Sequence, residues 1–189
     1  MWDVVKIKED LKKMLSEERY QHCLRTAEVA KELAKHYHYD QEKAYVTALV
    51  HDIAKEFSEK ENEEFVKKHQ LDKALLNEKN KKFIHGFLGA EIAKEKFHFD
   101  DEMCEAIRYH TAGKENMGKL ALIVALADKI EPGKKYKGIE QERTLAYQSL
   151  EEAFLYCLEM NLIHLQQEGK KIHPQTEKSI AYLKKVLQN

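Results

Sequence analysis

Seven glycines and two prolines in 189 residues leave this chain few places where a helix must stop, and few of the turns that a sheet needs. No stretch sustains a two-residue alternation of apolar and polar side chains; apolar residues recur at helical spacing instead. Over about 17–37, Cys23, Ala27, Ala30 and Ala34 centre an apolar face that Thr26, Val29 and Leu33 widen, with Glu28, Glu32 and Lys35 opposite. His22 falls inside that arc and Arg25 at its polar edge. Asp40 is an N-cap for the helix AYVTALVHDIAK, which is apolar almost all round up to Lys55. Ser58 and Glu61 have the spacing of a capping box for a polar helix ending near His69. A helix near 84–97 carries Gly86 and Gly89, small enough for a neighbouring backbone to come close. Asp100 or Asp101 caps a short helix containing Ile107 and His110, and LALIVALADKI stops at Pro132-Gly133. Two long helices close the chain, one over about 141–168 with Gly169 at its C-cap, the other over 174–187 with Pro174 at N1. The predicted class is all-α, in one domain without repeat or linker.

Composition narrows the function. A chain this long buries roughly 70% of its unfolded surface, enough for a core without disulfide or metal staples. Lys plus Arg number 32 against 33 Asp plus Glu, which argues against a dedicated nucleic-acid binder. Three cysteines, Cys23, Cys104 and Cys157, lie far apart with no CxxC, pointing to a reduced compartment. The N-terminal MWDVVKIKEDLKK is charged and amphipathic, and no run approaches 18 apolar residues. A cytoplasmic protein with no membrane partner is the expectation.

Ten histidines mark where chemistry can lie. The dipeptide His51-Asp52 means little alone, but it sits inside ALVHDIA, among core material. A buried carboxylate needs a cation, a donor or a metal. Asp128 repeats the problem as the one acidic residue in LALIVALADKI. His22, His51, His85 and His110 each sit on a predicted helix close to its apolar face. Imidazoles with carboxylates make a site that suits Fe, Mn, Zn or Ni; a structural zinc site more often uses cysteines. His36, His38, His69, His98 and His164 fall at helix ends or on polar faces. Tyr147, Tyr156 and Tyr182 read as ordinary core.

His22, His51-Asp52, His85, His110 and Asp128, each from a different predicted helix, give the ordered H…HD…D pattern. In this the chain resembles the HD-domain metal-dependent phosphohydrolases. The segments RYQHCLRTAEVAKELA, ALVHDIAKE, HGFLGAEIAKE, IRYHTAG, ADKIEPGKKYKG and IHPQT are similar to those of the bacterial YqeK-type hydrolases of diadenosine tetraphosphate. The resemblance implies an HD-type helical bundle over 1–189, with a metal core at about 17–131 and C-terminal helices at 141–189 packing on it. It further implies that His22, His51, Asp52 and Asp128 are metal ligands, with iron the metal usually present. His85 and His110 match positions that either hold a second ion or contact phosphates, and with Asp52 they form the implied catalytic set. Arg25, Lys55, Lys129, Ile130 and Lys134 match the substrate-binding set, and Tyr136 with the His173-Pro174 corner matches the base-binding surface. One departure stands out: Lys134 occupies a position where the family has Arg, and a lysine lacks the bidentate fork that suits phosphate. Arginine is scarce, with Arg19, Arg25, Arg108 and Arg143 the full set, so the site is expected to rely on lysines as point charges.

The activity implied is symmetrical hydrolysis of diadenosine tetraphosphate to two ADP, with the dinucleotide or ADP as the bound partner. Another HD-type nucleotidase or deoxynucleotide phosphohydrolase shares the metal core and differs in the pocket. A nucleotide-sensing binding protein is the alternative of another class, and it need not keep all four ligands. Sequence leaves the oligomeric state open, a homodimer being one option.

Overall fold

The computed structural model describes residues 2–170 and 172–188. Among them are ten α-helices, two short 3-10 turns and no strand. The helices are α1 (Val4–Met14), α2 (Glu17–His36), α3 (Gln41–Val50), α4 (Glu59–Lys68) and α5 (Ile84–Phe97). They continue with α6 (Asp101–Tyr109), α7 (Lys119–Ile130), α8 (Ile139–Ala146), α9 (Leu150–Gln167) and α10 (Pro174–Leu187). The expected caps form: Asp40 accepts from the Lys43 amide, Ser58 and Glu61 close a capping box, and Asp100 accepts from the Met103 amide. No helix among the described residues is long and apolar enough to cross a membrane. The three cysteines are buried and free.

Helix α7 is the axis of the core. Every residue from Leu120 to Ala127 is buried, because α2, α3, α6, α8 and α9 surround it. An apolar sequence with scarcely a polar face is the signature of such a helix. Helices α5 and α6 form a close pair, and Gly86 is what allows it. A Cβ at Gly86 would lie 2.8 Å from the Arg108 carbonyl oxygen and 3.0 Å from that of Ile107. The pairing sets the start of α5, with His85, against the end of α6, with His110.

Three expectations are corrected. The helix over 44–55 ends at Val50, and residues 51–56 run on as tight turns. The His51 ring causes this: its Nδ1–H donates to the Ala48 carbonyl at 2.6 Å, the acceptor a continuing α-helix would offer to Asp52, and side chain and backbone compete for it. His110 repeats the device. Its Nδ1–H donates to the Ile107 carbonyl at 2.7 Å, and α6 ends at Tyr109. Both histidines therefore stand one residue past a helix end, not on a helix. The long helix at 141–168 is two, α8 and α9. The Tyr37 hydroxyl takes the Ala146 carbonyl at 2.8 Å and His36 takes that of Tyr147 at 2.9 Å, so the chain turns and restarts at the Ser149 cap, with Gly169 at φ +67° beyond the far end. Finally, the tyrosines assigned to the core lie at its edge: Tyr147 is exposed, and Tyr156 and Tyr182 are half-buried.

Candidate metal centre

Five segments deliver side chains to one point. Helix α2 presents Arg19, His22 and Arg25, spaced three residues apart on one face. The turn after α3 presents His51, Asp52 and Lys55. The start of α5 brings His85, the end of α6 brings His110 and Thr111, and the end of α7 brings Asp128 and Glu131. The register of α2 against the turn is fixed by Glu56, whose carboxylate accepts from the Ser16 amide at 2.6 Å and the Ser16 hydroxyl at 2.7 Å. Ser16 is in turn the N-cap of α2.

The polar atoms form two adjoining groups that share Asp52. In one, His22 Nε2 lies 3.3 Å from His51 Nε2, 3.1 Å from Asp128 Oδ1 and 3.7 Å from Asp52 Oδ2. His51 Nε2 is 3.4 Å from Asp52 Oδ2 and 3.7 Å from Asp128 Oδ1. In the other group, Asp52 Oδ1 lies 3.2 Å from His85 Nε2 and 3.5 Å from His110 Nε2, with the two nitrogens 3.2 Å apart. Ligands about 2.1 Å from a common ion stand about 3.0–3.5 Å apart at right-angle to tetrahedral geometry.

The tautomers make the case for a cation. Nδ1–H of His51 and of His110 donates to a carbonyl, and His22 Nδ1 lies 3.2 Å from the Glu131 carboxylate. With Nδ1 engaged on the outside, each ring turns its Nε2 inward, towards the other Nε2 atoms and the carboxylate oxygens. Asp52 Oδ1 is buried and makes no hydrogen bond. Four imidazole nitrogens and two carboxylates gathered this closely, with one buried carboxylate oxygen left without a hydrogen bond, fit a metal ion.

Charge follows the same pattern. Burial works to protonate Asp52, but His51 and the other imidazoles around it hold its carboxyl well below the usual range. Asp128 is likewise held low against burial by His22 and His51. Its side chain is 19% exposed, so it is not fully buried as the sequence suggested, and the centre opens to solvent on that side. Burial disfavours a charge on His51, yet the two carboxylates push its pKa up to about 10. Burial lowers His85 to about 4, leaving it neutral, and lowers Lys55.

Of the residues assigned to substrate, the structure brings Lys55, Lys134 and Arg25 to the centre. Lys55 Nζ is 3.3 Å from His85 Nε2, and Lys134 Nζ is 3.8 Å from Asp128 Oδ1. Arg25 lies on Glu131, its Nε donating at 2.6 Å. The others are engaged elsewhere. Ile130 has its side chain in the core and its carbonyl on Arg143 Nε at 3.1 Å, which leaves its side chain no contact to offer a substrate. The Tyr136 hydroxyl donates to Glu142 and stands 3.4 Å from the Lys129 carbonyl oxygen. Both ring nitrogens of His173 are in use: Nδ1 accepts from the Gln175 amide at 3.1 Å, and Nε2–H donates to Asn80 Oδ1 at 2.8 Å. Its ring lies 4.7 Å from that of Phe83, and Pro174 is exposed.

Sequence reasoning missed three residues. Arg19 Nη1 donates to Asp52 Oδ2 at 3.0 Å, so the positive charge at the centre is not left to lysines. Glu131, 2% exposed, holds His22, Arg25 and the Gly133 amide. Thr111 Oγ1 stands 3.5 Å from His85 Nε2. Helical spacing gave a signal for Arg19, three residues before His22; Glu131 lay unremarked in ADKIEPG, three residues after Asp128.

Residues 19–133 match the HD domain family. The chain belongs to that family, and the all-helical fold with its His/Asp centre is the HD fold. Within it, the chain is 35% identical over 167 residues to the symmetrical bis(5'-nucleosyl)-tetraphosphatase of Halalkalibacterium halodurans, with 88% of this chain and 89% of that protein aligned. It is 30% identical over 183 residues to the protein of the same name from Staphylococcus aureus, with 95% and 94% aligned. A crystal structure from Clostridium acetobutylicum, described as a predicted HD superfamily hydrolase involved in NAD metabolism, superposes with a TM-score of 0.91 at 32% identity, over 98% of this chain and 99% of that one.

Proposed function

We propose that this chain is a metal-dependent phosphohydrolase of acid anhydrides that cleaves diadenosine tetraphosphate symmetrically into two ADP. The observation that carries this reading is its alignment over about nine-tenths of its length with relatives of that name. The side-chain chemistry agrees. His22, His51, Asp52 and Asp128 would hold one metal ion, and Asp52 Oδ1 with His85 and His110 a second; the mixed imidazole and carboxylate set suits iron. Such ions, when bound, lower the pKa of water and offset the charge that builds on a phosphoryl group in flight.

The chain's own residues do the rest. The two oxygens of Asp52 address the two groups of ligands, and Arg19 keeps Oδ2 in place. Lys55 and Lys134, one beside each group, supply point charges for phosphate oxygens, and the outer edge of Arg25 adds a third. Water adds to the phosphorus next to the central bridging oxygen, the bond to that oxygen breaks, and the oxygen leaves as the terminal oxygen of the second ADP. The exposed Tyr136 and the His173-Pro174 corner are proposed as the nucleoside surface, with His173 offering its ring face since both nitrogens are occupied. We place the enzyme in the cytoplasm, in keeping with three buried cysteines that stay unpaired.

Product chromatography after hydrolysis in oxygen-18 water tests the reading. Two ADP are expected, with one label in one of them. ATP plus AMP would reject symmetrical cleavage. Release of nucleoside from a monophosphate, with no action on the dinucleotide, would favour an HD-type nucleotidase.

A further inference from the structure

Glu131 sits directly after α7, one turn beyond Asp128, and is almost fully buried. Its carboxylate serves three donors. Oε1 lies 3.2 Å from His22 Nδ1, Oε2 accepts from Arg25 Nε at 2.6 Å, and Oε2 also accepts from the Gly133 amide at 2.6 Å. A weaker bond from Arg25 Nη2 to Oε1, at 3.4 Å, completes the fork. The turn is packed onto this pair: a Cβ at Gly133 would stand 2.6 Å from Arg25 Nη2 and 2.9 Å from Glu131 Oε1. Its two oxygens face three nitrogens, so it is the acceptor for all three.

We propose that Glu131 is a positioning residue for the metal centre: it fixes His22 in the Nδ1–H form and aims Nε2 at His51 and Asp128. The proposal rests on the metal-dependent reading given above. His22 needs such help where its partners do not. His51 and His110 are fixed by carbonyls of their own helices, three residues back. His22 lies inside α2, and the acceptor at its Nδ1 comes from another part of the chain, Glu131. Such a partner fixes the orientation of the ring and raises its basicity as a ligand. Because the same carboxylate grips Arg25 and Gly133, the ligand on α2 and the turn behind Asp128 become one unit. Residues that orient a metal-bound histidine typically change metal affinity about 10–100-fold when replaced.

Glu131→Gln tests this in the full-length chain. Glutamine keeps the volume and one acceptor oxygen, but its NH2 group would face Arg25 or Gly133, both donors. Mn2+ titrated into metal-free protein, with free Mn2+ read by electron paramagnetic resonance, is expected to saturate at the unaltered stoichiometry with a Kd raised about 10–100-fold. Unchanged Kd, with normal binding by the unaltered chain, would overturn the proposal alone. Fewer ions at saturation would make Glu131 a ligand and overturn the positioning role. No Mn2+ binding by the unaltered chain would overturn the metal reading and the proposal together. A second measurement does not depend on the variant folding: long-range 1H–15N spectra of the unaltered chain loaded with Zn2+ should show His22 protonated at Nδ1, and a proton at Nε2 would overturn the proposal.

Discussion

Replacing Gly86 by alanine sets two effects of opposite sign against each other. In a helix interior alanine is favoured over glycine by about 1 kcal/mol, so propensity alone calls for a more stable protein. The structure calls for the reverse. The new Cβ would sit 2.8 Å and 3.0 Å from two backbone carbonyl oxygens of α6, roughly half an ångström inside ordinary contact. Backbone atoms cannot rotate away as a side chain would, so α5 and α6 must separate. Overpacking of this kind costs about 1–3 kcal/mol, and after the propensity gain a net loss of up to about 2 kcal/mol remains. For a chain of this size that lowers Tm by up to about 8 °C, read by circular dichroism. The same movement pulls His85 from His110, whose nitrogens are 3.2 Å apart, so metal affinity at that group should fall as well. A raised Tm, with unaltered metal binding, would refute the close-packing argument and the claim that it positions His85.

Asp52→Asn and Asp128→Ala each remove a carboxylate proposed above as a metal ligand and should abolish most bound metal and turnover; added Mn2+ should raise the Tm of the unaltered chain but not of either variant. His85→Ala and His110→Ala should each lower the metal-to-protein ratio from about two towards about one, measured by inductively coupled plasma mass spectrometry, whereas a ratio held at its original value alongside slower turnover would leave them with phosphate contacts only. His98 closes α5 in the left-handed region at φ +55°, so His98→Gly should leave activity intact and stabilise by up to about 1 kcal/mol in thermal melts. Asp100 resists burial because Lys43 Nζ lies 2.8 Å away and the Met103 amide bonds to it, which together hold its carboxyl below the ordinary value of 3.8. A lowered folded-state pKa stabilises above the unfolded value and is lost as pH falls through the folded one. Asp100→Asn keeps the cap, so it should be less stable than the parent at neutral pH and converge with it in urea melts well below pH 3.8; a gap that persists in acid would contradict the ion-pair account.

How far the sequence reached follows from the range of the forces involved. Helix caps and apolar stripes act within about four residues. The Ser58–Glu61 box, the Asp40 cap, a cap at Asp100 or Asp101, the stop at Pro132 and the all-α class were therefore legible without the fold. So were His22, His51, Asp52, His85, His110 and Asp128, since polar residues embedded in apolar helical pattern demand partners wherever they fold. What the tertiary structure decided rests on contacts between distant segments. Helix α8 ends because His36 and Tyr37, more than a hundred residues earlier, take its carbonyls. Asp52 divides its two oxygens between two groups only because α2, α5, α6 and α7 converge on it. Arg19 reaches Asp52 across 33 residues, and Glu131 reaches His22 across 109. Local spacing carries no information about such pairs. A carboxylate in a turn after a helix looks like a solvated cap until the fold removes the water and leaves it an imidazole, a guanidinium and an amide to hold.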